Sequence, residues 1–356
     1  MIPCSHDFRS DTITNPTKEM MEAITNSYSA LGDAVYEEDK ITIDFENRVK
    51  ELTGHEAAVF AVSGTMSNQL AIRSHLFQPP HSILCDYRAH VYTCEAGGIA
   101  TLSQAMVTPV IPSNGIYMTL EDIKDKVIVG EDIHVAPTRL ICLENTMGGA
   151  IYPIEEIRRI SKFARDNGIP IHLDGARLWN ASIATGVSMR EYGSLFDSIS
   201  LCLSKGLCAP VGSVLVGSKK LIKTATWFKK QAGGGIRQSG ILTSAANVAL
   251  DQVWPSMATT HATAKEFANF VTSDLGLKLL FPADTNFVYI DGTDKFDSDV
   301  FVKLGAERGI NLLGGRIVFH YHTSPDAIVT LKEVLREAIK QYTGDKDDKL
   351  KTSGYI

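Results

Sequence analysis

The sequence predicts an α/β protein: a large domain on a seven-stranded, mainly parallel sheet, followed by a smaller α+β C-terminal domain. Two observations carry this. Up to residue 216, seven short apolar runs of strand length alternate with longer amphipathic stretches, and that alternation builds a parallel sheet with helices on both faces. After residue 216 the pattern changes to a long helical stretch, then to two short strands with two helices. A chain of 356 residues holds about two domains at roughly 100–200 residues each.

The elements follow in order. The chain is polar and extended up to Asn15, where Asn15-Pro16 reads as an N-cap followed by proline in the first turn, and Met20, Met21 and Ile24 supply the apolar face of a first helix. The runs at 57–62, 82–85, 106–111, 139–143, 169–173, 198–203 and 213–216 predict the strands. Helices are expected between most of them, among them 65–77 and 154–167, the latter closed by Gly168. A helical stretch over 218–273 should break near residues 233–235 and at Pro255. Strands near 286–290 and 316–319 and helices near 298–308 and 325–342 complete the chain. The expected division is an N-terminal segment (1–30), a large domain (31–255), a small domain (256–343) and a charged, frayed tail (344–356).

Composition narrows the function classes. Hydrophobic residues at 44% and charged residues at 21% are ordinary for a globular chain. A net charge of −6 without a basic tract argues against a nucleic-acid partner. The six cysteines are scattered, with no CxxC pair and no metal-ligand spacing, so reduced thiols and no metal are expected. No apolar run is long enough for a membrane span and the N-terminus has no apolar leader, so the expected location is the cytoplasm.

The chemistry concentrates in His172-Leu173-Asp174-Gly175-Ala176-Arg177 and, one strand–helix–strand later, Ser204-Lys205-Gly206. An Asp at the carboxyl end of a parallel strand points into the crevice where α/β sheets bind ligands. Pyridoxal phosphate needs this pair: a lysine for the Schiff base and a carboxylate that keeps the pyridine nitrogen protonated. Alone, Asp174 reads better as a cap on the next helix and Lys205 as a loop lysine; the pair is what carries weight. Ser63-Gly64-Thr65 follows a strand and opens a helix, a place where backbone N–H groups can meet a phosphate. His90, one strand later, suits ring stacking or acid–base work, though a packed neutral histidine is the plainer reading.

These residues sit in longer motifs. DFRSDTITNPT (7–17), GDAVYEED (32–39), SGTMSNQLAIRSHL (63–76), DYRAHVYTCEAGG (86–98), HLDGARLWNA (172–181), SLCLSKG (200–206), KKQAGGGIRQSG (229–240) and PADTNFVYI (282–290) run through nearly the whole chain. In them the chain resembles the low-specificity L-threonine aldolases, most closely the fungal type, within the aspartate-aminotransferase-like fold (fold type I) of pyridoxal-phosphate enzymes. The resemblance implies that Lys205 forms the Schiff base, Asp174 meets the pyridine nitrogen, His90 stacks on the ring, and Gly64 and Thr65 hold the phosphate. It implies Ser10, Arg177 and Arg316 as binders of the amino-acid carboxylate, Tyr36 and His134 near the substrate, and Asn145 near the cofactor. Lys230 and Arg237 match positions that reach a neighbouring subunit's site, which implies a homodimer or homotetramer with shared sites. The chain departs from the usual pattern at Glu37 and Cys208, where glycine is common, at Cys94 in the substrate pocket, and at Met147-Gly148.

The implied reaction is retro-aldol cleavage of L-threonine or L-allo-threonine, a β-hydroxy-α-amino acid, to glycine and an aldehyde, with the β-hydroxyl proton leaving through His90, His134 or a water they hold. The alternative within the same cofactor class is an amino-acid (alanine) racemase, with Cys94 or Tyr36 as a second acid–base group. Outside enzymes, a non-catalytic protein of the same fold is disfavoured by the intact set of Lys205, Asp174, His90, Arg177 and Arg316.

Overall fold

The seven apolar runs pair into one sheet. In a computed structural model, which describes residues 2–130, 132–291 and 296–342, the strands are β1 (Ala57–Ala61), β2 (Ser82–Asp86), β3 (Met106–Val110), β4 (Thr138–Glu144), β5 (Ile171–Asp174), β6 (Ser198–Cys202) and β7 (Ser213–Gly217). Their spatial order is β1-β7-β6-β5-β4-β2-β3. Only β7 is antiparallel to its neighbours. The other six therefore end at one edge of the sheet. β2, β5, β6 and β7 are buried along their whole length; the centres of β2 and β7 are continuous apolar runs, whereas β5 and β6 carry the buried polar residues His172, Ser198 and Ser200, which hydrogen-bond one another or Asn68 and Ser67. A two-stranded antiparallel sheet, β8 (Phe287–Tyr289) with β9 (Arg316–Val318), carries the small core.

Helix ends match the sequence signals in most places. The helix Ile154–Asp166 stops before Gly168, which sits at φ +63°. Two expectations need correction. The first helix is Lys18–Asn26, and its cap is Thr17, whose hydroxyl accepts from Met20 N; Asn15 instead gives its carbonyl to His322. Pro255 breaks nothing, because it lies in the first turn of the helix Trp254–Asn269, right after a π-helical turn at Ala249–Val253. The backbone stays helical from Gly240 through this junction, and the π-helical turn before the proline accommodates the bond that its missing N–H cannot make.

The boundary drawn at residue 255 falls at the start of that same helix. Met257 packs in the large core, whereas Ala264, Phe267 and Ala268 pack in the small one. The N-terminal segment is shared likewise. Phe8 packs edge-on against Phe319 and exchanges backbone bonds with Asn311 and Val318, while Met20 belongs to the large core. The tail at 344–356 lies outside the described residues. No described helix is long and apolar enough to cross a membrane.

Candidate active site

Because six strands end together, the segments that follow them meet at one edge: residues 63–65 after β1, His90 after β2, Glu144 and Asn145 at the end of β4, Asp174 to Arg177 after β5, and Lys205 after β6. The N-terminal segment and β9 close the other side. Between them is a cleft of about 390 Å³ that brings together Ser10, His90, Cys94, Arg177, Lys205 and Arg316. Thr12, Arg88, Glu144, Gly148, Phe287 and Tyr289 complete its wall.

Asp174, the last residue of β5, is 3% exposed. Its oxygens accept from Ala176 N (3.0 Å) and Asn68 Nδ2 (2.8 Å). Among the described residues no lysine or arginine pairs with it, so a buried carboxylate stands with neutral donors only. Asn68 Nδ2 also donates to Glu95 Oε1 (2.9 Å), and Gln69 Nε2 to Glu95 Oε2 (2.6 Å). Glu95 Oε1 in turn meets His90 Nδ1 at 2.8 Å, and this bond raises the proton affinity of His90 against the effect of burial. Atoms of His90, Glu95 and Asp174 lie within 4.8 Å of one another, joined through Asn68. Behind them, Asn68 Oδ1 meets His172 Nε2, and His172 Nδ1 meets Ser198 Oγ. Burial pushes His172 down to about 3, so its neutral ring can lock the Asn68 amide with both N–H groups toward the carboxylates.

The two arginines differ in what they have left to offer. Arg177 spends Nε and Nη2 on Asp11 (2.9 and 2.5 Å), a carboxylate with no exposure, and lies 4.7 Å from the Phe287 ring centre. Arg316 gives Nη2 to Arg9 O (2.8 Å), but its buried Nε has no partner. Arg316 lines the cleft and has no carboxylate partner among the described residues, so its charge is suited to an anion such as a substrate carboxylate. Lys205 is held by its backbone, Thr14 Oγ1 donating to its carbonyl at 2.8 Å. Its amine has no hydrogen-bond partner among the described residues.

Gly64 is required by packing: a Cβ there would collide with Cys202 Sγ at the end of β6. That close approach sets the start of the helix Gly64–His75 against the sheet edge, with Ser63 Oγ capping Met66 N. Thr65 is exposed and lines a second hollow of about 580 Å³ rather than the cleft itself.

Several residues singled out in the sequence are elsewhere. His134 precedes β4, so it lies at the opposite edge of the sheet, exposed and bonded to Asp132 (2.8 Å); within its own chain it cannot take the β-hydroxyl proton. Asn145 stays at the site edge, its N–H donating to the Asp174 carbonyl (3.0 Å), but its fully buried side chain is not part of the cleft wall: Oδ1 accepts from Tyr152 N, and Nδ2 has no hydrogen-bond partner among the described residues. Tyr36, Lys230 and Arg237 are outside the cleft. Arg237 pairs with Asp33 (2.8 Å) and lies 5.3 Å from the exposed Tyr36 ring. The two departures from glycine have a common geometry: Glu37 (φ 60°) and Cys208 (φ 63°) both sit in the left-handed region, at a cost of about 1 kcal/mol each. Sequence reasoning missed Asp11, Asn68, Glu95, Glu144 and Tyr289. The spacing of Glu95, five residues after His90, was the one available signal.

Residues 7–294 match the beta-eliminating lyase family. The chain belongs to that family. It is 54% identical over 339 residues to the low-specificity L-threonine aldolase of Eremothecium gossypii (94% of this chain, 88% of that protein) and 53% identical to that of Saccharomyces cerevisiae (95% and 87%). At 39% identity it matches an alanine racemase of Cochliobolus carbonum (94% and 87%). Among solved structures, Leishmania major threonine aldolase superposes with a TM-score of 0.81 at 19% identity, covering 94% of this chain and 99% of that one. This likeness confirms the fold type expected from the sequence.

Proposed function

We propose that the protein is a pyridoxal-phosphate-dependent lyase that cleaves L-threonine and L-allo-threonine to glycine and acetaldehyde. The observation that carries this is Asp174: a buried carboxylate without a cation of its own, at the sheet edge that also presents the unpartnered amine of Lys205. These residues fit pyridoxal phosphate: Asp174 would take its protonated ring nitrogen as the missing cation, and Lys205 would be its covalent anchor. When bound, the cofactor provides the electron sink for the bond broken at Cα. The chain's residues do the rest. Arg316 and Ser10 orient the substrate carboxylate with Arg177 beside them, His90 would cover the cofactor ring, and Glu95, itself bonded to Asn68, holds His90 in place. The names of the fungal relatives support the same reaction. The test is to incubate the holoenzyme with L-threonine, L-allo-threonine and, separately, L-alanine. Acetaldehyde and glycine are expected; D-alanine without acetaldehyde would make the protein a racemase instead.

Carboxylate binding by Arg316 predicts that Arg316→Ala loses about 2–5 kcal/mol in transition-state binding, read from kcat/KM, while the cofactor's visible band is retained. A near-native kcat/KM on every amino acid tested would remove Arg316 from the site.

Tyr36, Lys230 and Arg237 lie outside this chain's cleft, which supports a dimer in which they complete a neighbour's site. Mixing Lys205→Ala subunits with Arg237→Ala subunits should then restore activity in hybrids that contain one intact site. No recovery, with subunit exchange shown independently, would return Arg237 to its own chain.

A further inference from the structure

Glu144 has no role in the scheme above, yet the fold sets it at the cleft. It ends β4 in register with Asp174 at the end of β5, and register partners in a parallel pair project from the same face of a sheet. Two carboxyl groups therefore stand side by side at the sheet edge, and they are equipped differently. Asp174 accepts two N–H groups. Glu144 accepts one, from the His90 backbone to Oε2 at 2.9 Å, while its side chain lines the cleft and Oε1 has no partner among the described residues.

The geometry points to Glu144 as the group that carries a proton from the β-oxygen of the bound amino acid to its Cα. The inference rests on the proposed cleavage and names the base that reaction needs. The other candidates have different places in the scheme: His90, oriented by Glu95 through Nδ1, is the group set over the ring, His134 is at the far edge of its own chain, and Lys205 is the anchor. The charged and titratable groups around Glu144 are Asp174, His90 and Lys205, with Arg177, Arg88 and Cys85 further out. Burial first, and the Asp174 charge second, push the Glu144 carboxyl up to about 7, against the pull of His90 and Lys205. A base whose proton affinity lies near the working pH is both present in its ionised form and strong enough to act.

The step balances within the site. Ionised Glu144 Oε1 takes the β-hydroxyl proton, and the O–H electron pair becomes the second bond of the aldehyde carbonyl. The Cα–Cβ bond breaks and its pair stays with Cα. Glu144 then gives its proton to Cα, forming the new C–H bond of glycine and regenerating the carboxylate.

Glu144→Gln tests this, because the amide keeps the volume and an acceptor for His90 N–H but cannot carry the proton. Aldehyde release from L-threonine should fall at least about 100-fold, the kcat/KM limb near pH 7 should vanish, and the visible band should remain. Exchange of the glycine α-proton into deuterated water, which needs no Cβ cleavage, should fall in parallel. Infrared difference spectra of the holoenzyme between pH 6 and 8 should lose a protonated-carboxyl band that the parent shows. Glu144→Asp, should the glutamine variant fold poorly, is expected to retain the limb at a reduced rate. Cleavage by Glu144→Gln within about threefold of the parent, or a fall in rate with the infrared band unchanged, would overturn the assignment. A parent enzyme that exchanges glycine but releases aldehyde from no β-hydroxy amino acid would overturn the cleavage reading instead, and its exchange rate would still report on Glu144.

Discussion

Lys205→Ala is expected to lose more than about 10³-fold in turnover and to lose every covalent adduct that borohydride fixes in the parent. The fold should survive the change. The loop is held through the Lys205 carbonyl, which accepts from Thr14 Oγ1 and Cys208 N, and the side chain has no hydrogen bond of its own to surrender. Stability should therefore stay within about 0.5 kcal/mol of the parent, measured by denaturant unfolding. A borohydride-fixed adduct that persists in Lys205→Ala would place the anchor on another lysine.

Arg177→Ala should cost about 3–5 kcal/mol of stability, alongside weaker amino-acid binding. Its partner Asp11 has no exposure and takes two charge-assisted bonds from Arg177. Burial alone would raise the proton affinity of Asp11, but the Arg177 charge overcomes it and holds the carboxyl below its ordinary value. In the parent, the group therefore adds stability above the unfolded pKa of about 4, and that contribution is lost as pH falls through the folded value. In Arg177→Ala the stranded carboxylate is most costly at neutral pH. The deficit against the parent should shrink on acidification, when Asp11 becomes neutral and cheaper to bury. An unfolding free energy within 0.5 kcal/mol of the parent at pH 7, on the scale of ordinary surface substitutions, would show that Asp11 finds another partner. The pair also accounts for a difference the sequence conceals: Arg177 and Arg316 read alike as carboxylate binders, but Arg177 is already paired with Asp11, whereas Arg316 has no carboxylate partner among the described residues.

What the sequence determined by itself is the local part. Each strand of the large sheet begins and ends within two residues of its predicted run, because strands of a covered sheet carry mostly apolar side chains and that requirement is written residue by residue. Lys205 and Asp174 were legible for the same reason: each follows a strand, and the end of a parallel strand has one exit. Tertiary structure decided everything that depends on which strands become neighbours. The order β1-β7-β6-β5-β4-β2-β3 sets Glu144 beside Asp174, although 30 residues separate them and nothing in either segment announces the other. Chain direction sends His134 to the amino edge of β4 and Glu144 to its carboxyl edge. The Asp11–Arg177 pair joins residues 166 apart, and the shared role of Asn68 arises because its helix crosses behind the ends of the strands. Periodicity along a chain reports whether a position is buried, whereas the partner of a buried charge is set by the path of the whole backbone.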